Sequence, residues 1–259
     1  GFKLHIKMLM CDWSGFEGNV LELSQKIQNK EKASPSFPTL ALPISLADHY
    51  QVAKTWCLDK YPSNGVLGEI HRGPKRAKIR IGYFSADFYN HATAYLIAEL
   101  LELHDRSKFE LFGFSFASRR KDQMYDRVSK AFDQFIDVTN ASDIDVAKLS
   151  RQLGIDIAVD LKGLTQDTRL GIFSYRAAPI QVSYLGYPGT LGVDYMDYLI
   201  ADQTVIAPGT QSYYSEKIVY MPDSYQVNDR KRKISDRRFT RKELGLPDKA
   251  FVFCCFNNN

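Results

Sequence analysis

Apolar positions fall in two textures along the chain. In residues 1 to 70 they recur at helical spacing. VLELSQKIQ (20–28) places Val20, Leu21, Leu23 and Ile27 toward one side of a helix. ISLADHYQVAKTWCLDKY (44–61) sets Leu46, Tyr50, Ala53 and Cys57 three or four apart. Between them KASPSFPTLALP, rich in Pro and Ser, predicts a connector. From Lys78 the texture changes. KIRIGYF, FELFGFSF, FDQFIDV, IDIAVDL, IQVSYLG, YLIAD and EKIVYM are short apolar runs dense in β-branched and aromatic residues, and they predict strands. Helical patterns lie between the earlier ones: ATAYLIAELLELH, QMYDRVSKAF and SDIDVAKLSRQL. Ser142 is placed to N-cap the last of these, and Gly154 sits where a helix ends. This β-α alternation predicts an α/β domain with a parallel sheet covered by helices on both faces.

After Met221 the periodicity stops. Thr240-Arg-Lys-Glu243 has the form of a capping box, and AFVFCCFNNN (250–259) reads as a further strand. A strand arriving alone after a linker suggests the opening of a second α/β domain. The expected divisions are a helical region over 1–70, a Rossmann-like lobe over 71–222, and a linker with one strand over 223–259.

Composition narrows the class without naming an activity. Of 259 residues, 44% are hydrophobic and 25% charged, as in ordinary soluble globular proteins. No run of 18 apolar residues predicts a membrane span, and the first residues lack the apolar core of a signal peptide. Net charge is +4, but RKRKISDRRFTRK (230–242) carries eight Lys/Arg against one Asp. The excess is confined to that segment, so a nucleic-acid partner is not expected. The four cysteines, Cys11, Cys57, Cys254 and Cys255, form no C-x-x-C pair. They read as buried free thiols in a reducing cytoplasm, and no metal site is expected.

Candidate chemistry gathers at strand ends, where open α/β sheets bind ligands. SADFYNHATAYL (85–96) puts His91 where a strand gives way to a helix, near Asp87 and Asn90. An imidazole there suits a proton acceptor or hydrogen-bonding partner, and it equally suits a helix cap. Asp87, four residues before it, can share a helix face with it or accept backbone N–H groups in the turn. LGYPGTLG (185–192) makes a tight loop whose glycines let backbone N–H groups approach a ligand. DLKGLTQDTR (160–169) also follows a strand, so Lys162, Gly163 and Thr165 are expected to face the same crevice. There is no P-loop, no GxGxxG fingerprint and no GxSxG elbow.

These stretches, with RAAPIQVSYLGYPGTLGVDYMDYLIAD, YYSEKIVYMP and ELGLPDKAFVFCCFNNN, resemble the catalytic region of O-linked N-acetylglucosamine transferases, SPINDLY proteins included. The resemblance covers roughly 78–259. Residues 1–70 resemble the last helices of a tetratricopeptide array. It implies the N-terminal Rossmann-like lobe of a two-lobed GT-B glycosyltransferase, with the donor's uridine diphosphate held mainly by a C-terminal lobe absent from this chain. The implied donor is UDP-N-acetylglucosamine, the acceptor a protein Ser or Thr hydroxyl, and the reaction inverting, without cofactor or metal; the fragment alone is expected to be inactive. His91, completing DFxNH with Asp87 and Asn90, takes the place at the catalytic centre, as a candidate general base. Leu185, Gly186, Tyr187, Pro188, Gly189 and Thr190 match LGYPGT in full and are implied to border the sugar and diphosphate. Lys162 and Gly163 are added as donors on the sugar side. Ala92 stands where many members have Pro, and DLKG resembles bacterial members more than animal ones. Transfer of another sugar, such as fucose or glucose, and a non-catalytic binding module stay open as alternatives.

Overall fold

The computed structural model describes residues 1–70, 76–116 and 121–254. It divides into a compact unit, Gly1–Asp229, and a second unit, Arg230–Asn259. The first holds both the helical region and the sheet.

The helical region contains α1 (Phe2–Leu9), α2 (Phe16–Gln28), α3 (Ser36–Thr39) and α4 (Leu46–Lys60). Val20, Leu23 and Ile27 of α2 meet Leu4, Leu42 and Val52 in a small core. Leu21, expected on that side, is 61% exposed, because at 100° per residue it falls between the buried rows. Helix α1 and the single turn α3 were not legible as elements. The Ser45 side chain N-caps α4, accepting the Asp48 N–H at 3.0 Å. Ala53 and Cys57 of α4 are fully buried, not within the helical core but against the sheet domain.

The sheet domain runs β1 (Ile79–Ser85), α5 (Ala92–Leu103), β2 (Phe109–Ser115), α6 (Gln123–Lys130), β3 (Gln134–Asp137), α7 (Asp143–Gln152), β4 (Ile157–Asp160), α8 (Gly171–Ser174), β5 (Ile180–Ser183), β6 (Tyr198–Ala201) and β7 (Lys217–Tyr220). All seven strands are parallel, in the order β3-β2-β1-β4-β5-β6-β7. The period-2 alternation of β1 and β2 sends side chains to two cores. Phe84, Phe112 and Phe114 join Val146, Ala147, Ile172 and Phe173 on the α7/α8 face. Ile81, Tyr83 and Leu111 join Ala94, Ile97, Leu101 and Val128 on the α5/α6 face. Both faces are therefore dry, as a parallel sheet requires. Each expected strand from KIRIGYF to EKIVYM is present, and the helix after Ser142 carries the expected cap and a Gly154 at φ +61.

Residues 223–229, read as linker, are bonded to the first unit. The Tyr225 N–H donates to Asp202, and Arg127 grips Glu102 at 2.7 Å and Asp229 at 2.5 Å. In the second unit the capping box forms: the Thr240 N–H donates to Glu243 at 2.7 Å and the Glu243 N–H to the Thr240 hydroxyl at 3.2 Å. It closes a turn rather than a helix. Residues 250–254 have no strand ladder among the described residues, and Cys254 is exposed rather than buried. Cys11 is exposed too; Cys57 is buried. Cys255 and the remainder of that run lie outside the described residues.

Phe84, at 0% exposure, stacks on Phe114 with ring centroids 4.3 Å apart, across the β1–β2 pair. Phe84→Ala is expected to cost about 3–5 kcal/mol, whereas Leu103→Ala on the exposed face of α5 stays within about 0.5 kcal/mol. Urea unfolding midpoints that fall equally for both would refute this account of the core.

Candidate active site

The order of strands reverses between β1 and β4, whose Phe84 and Asp160 are register partners. Such a switch point opens a crevice above the carboxyl ends of the strands. The segments after β1, β4 and β5 come from three adjacent strands, so all three candidate stretches leave the same rim.

After β1 the chain turns through Ala86 to His91. Phe88 anchors this turn, with its ring 5.4 Å from Phe132 and 5.7 Å from Phe135. The Asn90 N–H donates to Asp122 at 2.8 Å, leaving the Asn90 side chain exposed at the rim. His91 is the N-cap of α5: its Nδ1 accepts the Thr93 N–H at 3.2 Å. Its side chain stays 39% exposed. The helix-cap alternative is thus realised together with an accessible ring. Asp87 is not on a helix face with it. The Asp87 carboxylate is buried, and its Oδ2 accepts from Lys162 Nζ at 2.6 Å while lying 3.6 Å from His91 Nδ1. It takes an ammonium rather than the backbone N–H groups expected of it, because Lys162 reaches across from the β4 loop.

That loop is folded by Asp160 at the end of β4. Its carboxyl accepts the N–H groups of Lys162 at 2.9 Å and Gly163 at 3.0 Å. Burial pushes the Asp160 carboxyl up to about 6, against the opposing pull of those N–H groups and of the Lys162 charge. Gly163 sits at φ +55, and a Cβ there would lie 2.3 Å from Tyr187 Cβ. Thr165 closes the turn by donating to the Lys162 carbonyl at 2.8 Å. A Cβ on Gly186 would come within 2.0 Å of the Leu161 carbonyl oxygen. The two loops therefore meet backbone to backbone, and glycine is the residue type that permits it.

The rest of the glycine loop is held from beneath. Leu185 is buried at φ +67, a strained conformation for a branched side chain. Tyr187 is 2% exposed, and burial pushes its phenol above the ordinary range. The Thr190 hydroxyl donates to Glu216 at 2.7 Å, and the other Glu216 oxygen accepts the Leu191 N–H at 2.7 Å. Burial raises the Glu216 carboxyl in turn. Pro188 and Gly189 face a cavity of ≈ 220 Å³ shared with Leu40, Leu46 and His49 of the helical region. Lys162, Tyr187 and Thr190, expected to face substrate, thus have their side chains engaged within the protein. Among the described residues no cluster of three His, Cys, Asp or Glu is placed to hold a metal, and no helix is long and apolar enough to cross a membrane.

The profile of glycosyl transferase family 41 matches residues 10–238. The chain belongs to that family. It is 36% identical over 98% of its length to the probable UDP-N-acetylglucosamine–peptide N-acetylglucosaminyltransferase SEC of Arabidopsis thaliana, covering 28% of that protein. It is 30% identical over 85% of its length to the UDP-N-acetylglucosamine–peptide N-acetylglucosaminyltransferase of Caenorhabditis elegans, covering 20% of it. A solved mutant O-GlcNAc transferase from Thermobaculum terrenum superposes with a TM-score of 0.68 at 30% identity, over 74% of this chain and 37% of that one. The chain therefore spans little more than a third, at most, of these relatives. The fold is that of an α/β lobe of a family 41 transferase, preceded by helices.

Glu216 was missed from the sequence. It lies within EKIVYM, where only its place just before a strand hinted at a role at the sheet's amino edge; the bonds that matter cross 25 residues.

Asp160 supplies a pH prediction. Folded Asp160 keeps its proton up to about 6, whereas unfolded aspartates titrate near ~3.9. Between those values the folded state binds more protons, so its stability falls as pH rises. Asp160→Asn retains an acceptor and removes the titration. Thermal melts from pH 4 to 7 are expected to show the variant gaining on the wild type by up to roughly 3 kcal/mol across that window. A constant offset between the two curves would contradict the assignment.

Proposed function

We propose that this chain is the N-terminal Rossmann-like lobe of a GT-B enzyme that moves N-acetylglucosamine from UDP-N-acetylglucosamine to Ser or Thr hydroxyls of proteins in the cytoplasm. The observation that carries the reading is the meeting of three segments beside the switch point: Asp87–His91, Asp160–Thr165 and the start of the glycine loop, Leu185–Tyr187. The names of the relatives and their 30–36% identity over most of this chain support the donor and the acceptor class.

In this reading the reaction inverts the anomeric carbon. The acceptor oxygen bonds to C1 as the C1–O bond to the diphosphate breaks, and the hydroxyl proton is lost to a base. No cofactor takes part. His91, exposed on the rim, contacts the reacting groups. Asn90 and the Leu185–Gly189 loop border the sugar. Oriented N–H dipoles stabilise the charge that develops as the bond to diphosphate breaks. Asp87, Lys162, Gly163, Tyr187 and Thr190 act from behind, fixing the positions of those groups. A second lobe holds most of the nucleotide, and residues 1–70 end a tetratricopeptide array that presents the protein acceptor.

The test is transfer of radiolabelled sugar by the full-length protein. UDP-N-acetylglucosamine is expected to label protein acceptors, and His91→Ala to lower the rate by about 10²-fold or more. If UDP-N-acetylglucosamine, GDP-fucose and UDP-glucose all give no transfer where a family member works, the chain belongs to a binding module instead. Labelling from one of the other donors alone would replace the sugar and keep the site.

Residues 1–259 alone are expected to bind UDP at least about tenfold more weakly than the full-length protein, since most nucleotide contacts lie in the second lobe; tenfold corresponds to about 1.4 kcal/mol. Calorimetry giving equal affinities would refute that division of labour.

A further inference from the structure

The environment of His91 fixes which ring nitrogen carries the proton. His91 Nδ1 lies 3.2 Å from the backbone nitrogen of Thr93, whose N–H points at it. A backbone N–H can only donate, so Nδ1 offers its lone pair. A neutral imidazole has one donor and one acceptor nitrogen. With Nδ1 the acceptor, the proton sits on Nε2.

A rival arrangement lies 3.6 Å away. Asp87 Oδ2 faces the same Nδ1, and a carboxylate beside an imidazole ordinarily draws the proton onto the nearer nitrogen. That would remove the acceptor that caps α5. Lys162 prevents it. Its Nζ is 2.6 Å from this very Oδ2, both side chains are only 6% exposed, and the contact is a charge-assisted hydrogen bond. With that oxygen turned to an ammonium, its 3.6 Å separation from Nδ1 exceeds a hydrogen bond. Among the described residues Nε2 has no hydrogen-bond partner.

We propose that Lys162 is a positioning residue that acts through Asp87, holding His91 in the tautomer protonated at Nε2 so that the ring presents a hydrogen-bond donor to the crevice rather than a proton acceptor. The consequence for catalysis rests on the transfer reading above: His91 meets an oxygen lone pair of the sugar, the phosphate or the acceptor hydroxyl, and the acceptor's proton leaves by another route. The tautomer itself rests on the geometry alone.

The experiment is a long-range ¹H–¹⁵N correlation spectrum of the 259-residue chain labelled at histidine, at pH 8, where an ordinary imidazole is neutral. The five histidines give separate patterns, and His91→Gln identifies the one that is lost. The wild type is expected to show the Nε2–H pattern at His91. Lys162→Met is expected to move that pattern toward Nδ1–H, and Lys162→Arg, which keeps the cation, to restore the wild-type form. Should Lys162→Met fail to fold, Lys162→Gln removes the charge but keeps a polar side chain, with the same expectation. An Nδ1–H pattern in the wild type overturns the proposal. So does a His91 pattern that the loss of the Lys162 charge leaves unchanged. These spectra need neither donor nor acceptor. Absent transfer with the expected tautomer would sink the activity alone; transfer with the opposite tautomer would sink this inference alone.

Discussion

Strand β1 is the member on which the architecture turns. It is hydrogen-bonded in parallel along Ile79–Ser85 to β2 and along Ile81–Phe84 to β4. A strand paired on both sides and covered on both faces can carry polar groups only where it ends. In the chain the polar residues follow that rule: Ile81–Phe84 are buried without a polar side chain other than the Tyr83 hydroxyl, and Ser85, Asp87, Asn90 and His91 come immediately after. The parallel direction of all seven strands then brings the corresponding ends of β4 and β5 to the same rim. The site is a consequence of strand direction before it is a consequence of any side chain.

What the rim does with its charges is decided by the Lys162–Asp87 pair. Two nearly buried ions carry a desolvation penalty that their attraction offsets only with good geometry. Here the 2.6 Å contact joins the β1 turn to the β4 loop, and the same loop is bound to the Asp160 carboxyl through two backbone N–H groups. Removing one member would leave the other charge buried, at a cost of about 3–5 kcal/mol. A lysine so placed is not a mobile phosphate ligand. Its chemistry is exercised on the neighbouring carboxylate, and through it on the imidazole.

Periodicity made the fold legible, because both relevant periods operate over a few residues. Alternation in KIRIGYF and FELFGFSF and the 3.6-residue repeat in ATAYLIAELLELH are local, and each became the element expected. That the three candidate stretches leave one rim was legible for the same reason: a motif that follows a strand must start at its end. The direction of individual side chains was not. Lys162 and Thr190 carry polar atoms that look available in a sequence, yet their partners Asp87 and Glu216 are brought close only by tertiary folding, and Tyr187 is buried. The run AFVFCCF is described only as far as Cys254. Its composition favours a strand, which needs a neighbour to pair its N–H and C=O groups, and among the described residues 250–254 have no ladder.

The glycine loop ties these levels together. Its first half is pressed onto the β4 loop by the close approaches at Gly163 and Gly186; its second half is held by the Thr190–Glu216–Leu191 bonds. Gly192, at φ +66, lies so near the backbone of α4 that a Cβ would come within 2.5 Å of the Lys54 nitrogen. The same stretch thus touches the β4 loop at one end and the helical region at the other. Neither end can give way cheaply, because the contacts at Gly186 and Gly192 are with backbone and the buried Glu216 carboxylate has its bonds filled. A displacement of α4 must therefore move Gly192 or strain it, and Gly192 is two residues from Thr190. The helical region thus meets the glycine loop backbone to backbone at Gly192, where a larger residue would clash with Lys54.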